Sequence, residues 1–235
     1  MPRRVPEDRF DELLRAATEV FVEQGYRRTQ MADVAERLGV AKGTLYLYVE
    51  SKEALLDAVL RYADVADPIP LPSKLPLATP APGATLRHVE KRIAESAALP
   101  ALGAALERRR VADARHELEE IVRELYVLLA SHRVAIKLLD RCAADYPELA
   151  AVWHGTGRGG PLALLRRYLE DRIRRGRIRP VRDVAVTARA ILEIVVFWAV
   201  HRHWDPAPEA FDEVTAREMV VELVVCSLLD GVTGA

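Results

Sequence analysis

Apolar side chains recur at helical spacing along almost the whole of this 235-residue chain. Near its start, Phe10, Leu13, Leu14, Ala17 and Phe21 fall on one stripe, because residues three and four positions apart share a helix face. No run of alternating apolar and polar residues bounded by turn residues predicts a β-strand. The pattern therefore predicts an all-α protein.

Six prolines lie between residues 68 and 82, where the helical pattern stops. Proline lacks a backbone N–H and clashes with the preceding helical turn, so this segment cannot form a regular helix. We expect an extended surface connection, and the alternative is a proline-rich ligand for a partner domain. The predicted organisation is a first domain over residues 1–64, a proline-rich connection over 65–83 and a second helical domain over 84–235.

Composition and charge narrow the possible partners. The formal net charge is −1, so any nucleic-acid site must be a local patch rather than a property of the whole chain. Two cysteines cannot form a disulfide framework, and the start of the chain lacks the apolar run of a signal peptide. The most apolar stretch, residues 194–200, falls far below the roughly 18 residues of a membrane span. We expect a cytoplasmic protein with no membrane partner.

Four short helices are predicted within the first 60 residues. Gly25 and Gly39 are placed to end the first and second helices, because glycine tolerates the left-handed backbone of a helix C-terminus. Thr29 is expected to cap the second helix through its hydroxyl, and Ser51 to cap the fourth. The third helix is the stretch AKGTLYLYV, residues 41–49.

The second and third helices have the spacing of a helix-turn-helix motif, with a small residue at Ala35, a turn glycine at Gly39 and an aliphatic anchor at Leu45. At about 100° per residue, Leu45 and Val49 face the core. The neighbouring side chains then face outward, where methyl, hydroxyl and ammonium groups suit a DNA major groove. Residues 26–52 carry five basic and three acidic side chains, so phosphate binding must depend on where each group is placed.

Residues 10–60 resemble the DNA-binding domain of TetR-family transcriptional regulators, and RRTQMADVAERLGVAKGTLYLYVESKEALL is similar to the family pattern over nearly every turn. The resemblance implies a dimer that binds a palindromic operator, with a C-terminal helical domain that dimerises and houses an inducer pocket. Ala41, Gln30 and Val49 depart from the residues usual at these positions, which affects base contacts rather than the fold. The implied DNA-binding residues are Thr29, Gln30, Lys42, Gly43, Thr44, Tyr46, Leu47, Tyr48 and Lys52.

Two other motifs suggest different chemistry. GTGRGG, residues 155–160, matches the dinucleotide-binding fingerprint in letters, but it follows a helical pattern rather than a strand, so we expect a flexible loop. His201, His203 and Asp205 could suggest a metal, but no second cluster completes a tetrahedral site. We therefore expect no enzyme activity, no cofactor and no metal site.

The C-terminal helices carry more apolar surface than one chain needs to bury, which favours a homodimer interface over an internal core alone. Several aromatic and polar residues could line a ligand pocket, but core packing is the favoured explanation for each of them: Tyr126, Arg133, Trp153, Phe197 and Trp198. The predicted function is a homodimeric repressor that binds double-stranded DNA and is released by an unknown small-molecule effector. The alternatives are a helical protein that binds a partner through the proline-rich connection, and an enzyme that uses the glycine-rich loop.

Overall fold

The computed structural model describes residues 8–65, 69, 71–96 and 98–229, and in this part of the chain it contains helices and no strands. The all-α prediction is confirmed. The helices are α1 (Asp8–Gln24), α2 (Met31–Leu38), α3 (Lys42–Leu45), α4 (Lys52–Tyr62), α5 (Ala84–Ser96), α6 (Pro100–Glu107), α7 (Ala114–Ser131), α8 (Arg133–Ala143), α9 (Pro147–Val152), α10 (Gly159–Arg174), α11 (Val184–Ala199) and α12 (Glu213–Leu229).

The chain divides into two compact units. The first unit contains the described residues up to Ile93 together with Val134–Gly155, and the second contains Ala94–Arg133 with the residues from Thr156 onward. The first unit thus includes α8 and α9, which come from a later part of the sequence. The predicted limits of the three segments, 1–64, 65–83 and 84–235, do not coincide with this division by compactness and stay a prediction.

The N-terminal helices begin and end largely where local chemistry predicts. Gly25 and Gly39 adopt left-handed backbone conformations with φ of 81° and 69°. The Ser51 hydroxyl accepts a hydrogen bond from the Ala54 N–H at 3.1 Å. The predicted Thr29 cap is wrong, because its hydroxyl donates to the Gly25 carbonyl at 2.7 Å and Gln30 is the residue that precedes α2.

The proline-rich connection returns to the helix-turn-helix. Leu77 forms an isolated parallel bridge with Val49: its N–H donates to the Tyr48 carbonyl at 2.7 Å, and its carbonyl accepts from the Glu50 N–H at 3.0 Å. Thr79 then donates its N–H to the Glu50 carboxylate at 2.9 Å and its hydroxyl to Ser51. We call residues 75–79 the strap, because they bind the chain between α3 and α4.

The second unit is built around α7, which packs against α6, α11 and α12, while α10 packs against α6 and α11. Its core is largely aliphatic, but it also holds an ion pair between Arg172 and Glu117, which are 0% and 3% exposed. Each helix in the described residues is too short or too polar to span a bilayer.

The prediction for the glycine-rich stretch fails, and a helix break lies before it. The glycine-rich stretch is not a loop, because Trp153–Arg158 form a π-helical turn and Gly159 begins α10. A break separates α8 from α9, because Pro147 supplies no N–H and Tyr146 before it adopts an extended conformation with φ of −130° and ψ of 90°.

Candidate nucleic-acid interface

The third helix is one regular turn followed by tighter turns. It spans Lys42–Leu45, after which the Leu47 and Tyr48 N–H groups donate to carbonyls three residues back, at 3.2 and 2.9 Å. Leu45 and Val49 are fully buried, as predicted from the helical spacing. These two side chains anchor the helix and leave its other face available.

That other face carries large apolar side chains in solvent. Tyr46 and Leu47 are 42% and 45% exposed, although both are side chains that proteins prefer to bury. Lys42 and Gly43 are exposed beside them, and Thr44 is half-buried. A methyl group added to Gly43 would meet no described atom within 4 Å, so the space above this backbone is open to a ligand.

Tyr48 belongs to the core of the unit. Its side chain is 2% exposed and its ring stacks against Phe10 with centroids 6.4 Å apart. Burial raises the pKa of the Tyr48 hydroxyl, with the charge of Arg9 acting in the opposite direction. The Tyr48 ring therefore holds the turns after α3 against α1, on the side opposite the exposed face.

Thr29 and Gln30 lie at the start of α2 in different environments. Thr29 is 1% exposed and its hydroxyl is occupied by the Gly25 carbonyl. Gln30 is exposed, and its N–H donates to the Asp33 carboxylate at 2.8 Å. Of the two, only the Gln30 side chain is placed to meet a ligand.

Lys52 points into the turn between α1 and α2. Its Nζ donates to the carbonyls of Tyr26 and Thr29 at 3.0 and 3.1 Å, and to that of Arg27 at 3.4 Å. The same ammonium lies 4.5 Å from the centroid of the Tyr26 ring. Its charge therefore stabilises the carbonyl groups of this turn.

Tyr26 connects this turn to α4. Its hydroxyl donates to the Glu53 carboxylate at 3.1 Å. Burial, followed by the charge of Glu53, raises the pKa of Tyr26 well above its usual value. The pKa of Glu53 is lowered, first by its own backbone N–H and also by Ser51 and Tyr26. The pair therefore remains a neutral phenol bound to a carboxylate at physiological pH.

Residues from α8 and the segment after it hold the same turn, and the sequence pattern gave no signal for them. The Asp145 carboxylate accepts the Arg27 N–H at 3.0 Å, and Arg141 donates to the Glu23 carbonyl at 3.0 Å. Tyr146 stacks on Tyr26 with ring centroids 5.3 Å apart. These residues are separated from their partners by more than 110 positions, so no local periodicity could have identified them.

The local cations are not all available to an anion. Arg37 is bound by Glu19 and Glu23 at 2.7 and 2.6 Å. Arg28 donates to the Gln24 carbonyl. Lys42, four positions before Tyr46, is exposed. The structure thus brings five predicted residues to one open surface or its edge, namely Lys42, Gly43, Thr44, Tyr46 and Leu47, while Gln30 is exposed at the start of α2.

Comparison with known proteins identifies the N-terminal part. A model of bacterial regulatory proteins of the tetR family matches residues 13–59. The activator FasR of Mycolicibacterium smegmatis is 48% identical over 59 residues, which are 25% of this chain and 27% of FasR. The fatty acid metabolism regulator protein of Bacillus subtilis is 24% identical over 225 residues, which are 94% of this chain and 95% of that protein.

A solved structure also resembles nearly the whole of this chain in fold. The ketosteroid transcriptional regulator KstR2 of Mycobacterium tuberculosis aligns over 96% of this chain and 97% of its own, with a TM-score of 0.54 and 19% identity. In sequence, the KstR2 repressor of Mycolicibacterium smegmatis is 39% identical over 56 residues. The matched segment is 24% of this chain and 27% of that repressor. This chain carries the N-terminal helix-turn-helix domain of the TetR family of bacterial regulatory proteins.

Proposed function

We propose that this protein is a homodimeric transcriptional repressor that binds a palindromic operator and is released by a small-molecule inducer. The observation that carries the proposal is the exposed face of α3 and the turn after it, where Tyr46 and Leu47 stand in solvent beside Lys42 and Gly43. Isolated apolar surface of this kind suits thymine methyl groups, while hydroxyl and ammonium groups suit base edges and phosphates.

The residues behind this face have a supporting part in the proposal. The Tyr48 ring packs behind the exposed face of α3 and the turn after it. Lys52 and Thr29 form hydrogen bonds within the turn before α2. We infer that all three support DNA binding indirectly, because Thr29 and Tyr48 are 1% and 2% exposed and the Lys52 ammonium donates to three backbone carbonyls. We assign contacts with the bases to Gln30, Gly43, Thr44, Tyr46 and Leu47, and a contact with a phosphate to Lys42.

A two-fold operator requires a two-fold protein. The second unit exposes apolar side chains on α11 and α12 that a single chain leaves in water: Val186, Ile194, Phe197, Val214, Met219 and Leu223. These faces support dimerisation through the second unit. An inducer that prefers a dimer whose recognition helices depart from one-turn spacing, about 34–36 Å, must weaken DNA binding by reciprocal linkage.

A mobility-shift assay on the DNA that flanks the gene tests the proposal. We expect a salt-sensitive shift that requires an intact palindrome and disappears when one half-site is scrambled. Tyr46→Ala should weaken binding about tenfold or more, because it removes contacts to the groove, and should leave the melting temperature unchanged because the side chain is exposed. Tyr46→Phe is the matched control, which separates the ring from the hydroxyl.

The salt dependence gives a second measurement. Lys42→Ala should reduce the slope of log affinity against log salt by about one, as expected for the loss of one phosphate contact. No palindrome-dependent shift from any flanking sequence, or a large loss of stability in Tyr46→Ala, would contradict the proposed function.

A further inference from the structure

Two arginine-rich segments meet in the second unit. Arg108–Arg110 follow α6, and Arg174, Arg175 and Arg177 lie at the end of α10. They are more than 60 positions apart in the sequence. Like charges brought together in this way repel one another, so the structure must hold them in place.

A buried ion pair supplies part of that support. Arg172 on α10 donates through Nε to the Glu117 carboxylate on α7 at 2.7 Å, and the Tyr168 hydroxyl donates to the same carboxylate at 3.2 Å. Arg172 also donates to the Ala105 carbonyl on α6. One side chain therefore joins three helices, and a buried pair with its hydrogen bonds satisfied resists displacement.

Direct contacts then join the two arginine-rich segments. Arg175 donates through Nη1 to the Arg109 carbonyl at 2.7 Å, and its Nε binds the Asp171 carboxylate at 2.9 Å. Gly176 has a φ of 67°, a left-handed conformation that reverses the chain and places Arg177 beside the first segment. The Arg177 N–H donates back to the Arg172 carbonyl at 2.8 Å.

The segments line a cavity of about 480 Å³ that is open to solvent. Its lining consists of four arginines and two small apolar residues, and contains no carboxylate: Arg109, Arg110, Val111, Ala112, Arg175 and Arg177. Among the described residues, no carboxylate pairs with Arg109, Arg110 or Arg177. Elsewhere in this unit many arginines do have such partners, as Arg158 has in Glu193 at 2.8 Å.

We propose that this cavity binds a small molecule that carries a diphosphate or triphosphate group. Guanidinium groups remain charged at any physiological pH and match phosphate oxygens in pairs, so several around one cavity select an anion with several such oxygens. The volume falls within the range of about 300–1,000 Å³ seen for small-molecule sites and leaves room for an organic body beside the phosphates. Val111 and Ala112 offer that body an apolar contact. The proposal concerns binding only and does not depend on DNA recognition.

Calorimetric titration of the full chain, without DNA, tests the site. Sodium pyrophosphate and ADP should each bind, while adenosine, which lacks the phosphates, should not. The double substitution Arg109→Ala with Arg177→Ala should weaken both affinities about tenfold or more, because it removes two charge-assisted contacts. Both side chains are exposed, so the melting temperature should be unchanged.

Arg167→Ala is the matched control, since Arg167 is an exposed arginine of the same unit outside the cavity lining. It should leave both affinities unchanged. The lysine double variant keeps the charge but loses the paired geometry, and should fall between the parent and the alanine variant.

Three results would overturn the proposal. The first is no binding of pyrophosphate or ADP, and the second is equal affinity in the parent and the alanine double variant. The third is a change in molar mass or in DNA affinity in that variant with pyrophosphate binding unaltered, which would assign the arginines to contacts with another copy of the chain or with nucleic acid.

Discussion

Tyr46 and Tyr48 lie two positions apart, yet one is 42% exposed and the other 2% exposed. The rotation of about 100° per residue places them on different faces of the same helical turn. Leu45 and Val49 are buried in the core, and the Tyr48 ring stacks against Phe10. Helix geometry therefore gives Tyr48 a structural role in the core and leaves Tyr46 exposed for binding.

Tyr48→Ala should lower the free energy of unfolding by about 3–5 kcal/mol, because it removes a buried aromatic ring and leaves a cavity against Phe10. Chemical denaturation measures this change. Tyr48→Phe retains the ring and should keep most of the stability. If Tyr48→Phe nevertheless weakened DNA binding, its hydroxyl would be shown to contact the operator as well.

Lys52→Met should lower the free energy of unfolding by about 1–3 kcal/mol, because three backbone carbonyls lose a charged donor. Methionine retains most of the apolar stem, so the loss reports on the ammonium. Lys42→Met is the control: this lysine is exposed on α3, and its replacement should leave stability within about 0.5 kcal/mol. A change in the salt slope of DNA binding without a loss of stability would assign the Lys52 charge to phosphate instead.

Individual residues could be predicted from the sequence where one local rule decides the outcome. Leu45 and Val49 are buried because helical spacing puts them on the core side. Thr29 was predicted to cap α2, but the Gly25 carbonyl at the end of α1 offers its hydroxyl an acceptor at 2.7 Å. The outcome depended on the path of the turn between the helices, which propensity does not describe.

At the scale of elements, helix ends were predictable and the strap was not. Gly25, Gly39 and Ser51 act on their own neighbours, so their effects can be read from adjacent residues. Leu77 instead pairs with backbone groups 27 to 29 positions earlier, and its side chain type plays no part in the two hydrogen bonds. Prolines excluded a helix here, but they gave no register for the contact.

Leu77→Pro should destabilise the first unit by about 1–3 kcal/mol, because it removes the N–H that donates to the Tyr48 carbonyl. Leu77→Ala keeps that N–H and is the matched control for loss of the side chain. We expect Leu77→Pro to lower the melting temperature more than Leu77→Ala. It should also weaken the proposed DNA binding, because the strap holds the chain directly after α3 and its following turns. Equal effects of the two substitutions would show that the side chain rather than the hydrogen bond matters.

The two compact units are not continuous segments of the sequence. Residues 134–155 join the first unit, where Arg141, Asp145 and Tyr146 contact the turn between α1 and α2. The proline cluster predicted a domain boundary because the residue type alone excludes a regular helix there. The packing of α8 in the first unit depends on contacts between residues far apart in the sequence. No local sequence pattern predicts such contacts.

Helix α12 is apolar on more than one face. Val220 and Val224 are buried in the second unit, whereas Met219 and Leu223, one turn apart, are 47% and 52% exposed. Two such side chains on one stripe cover an area that monomeric proteins usually keep polar, and a second copy of the same helix would remove it from water.

Leu223→Glu should therefore convert the proposed dimer into monomers, since a carboxylate at the centre of an apolar contact must either be buried without a partner or keep the copies apart. Light scattering should show the molar mass fall from twice the chain mass of 26.2 kDa to the single value. Val65→Glu, an exposed apolar position in the first unit, is the control and should leave the molar mass unchanged. DNA binding should weaken in Leu223→Glu alone, because a monomer engages one half-site and loses the contribution of the other. A parent that is already monomeric would contradict the proposed dimer, and a variant that remains dimeric would place its interface away from α12.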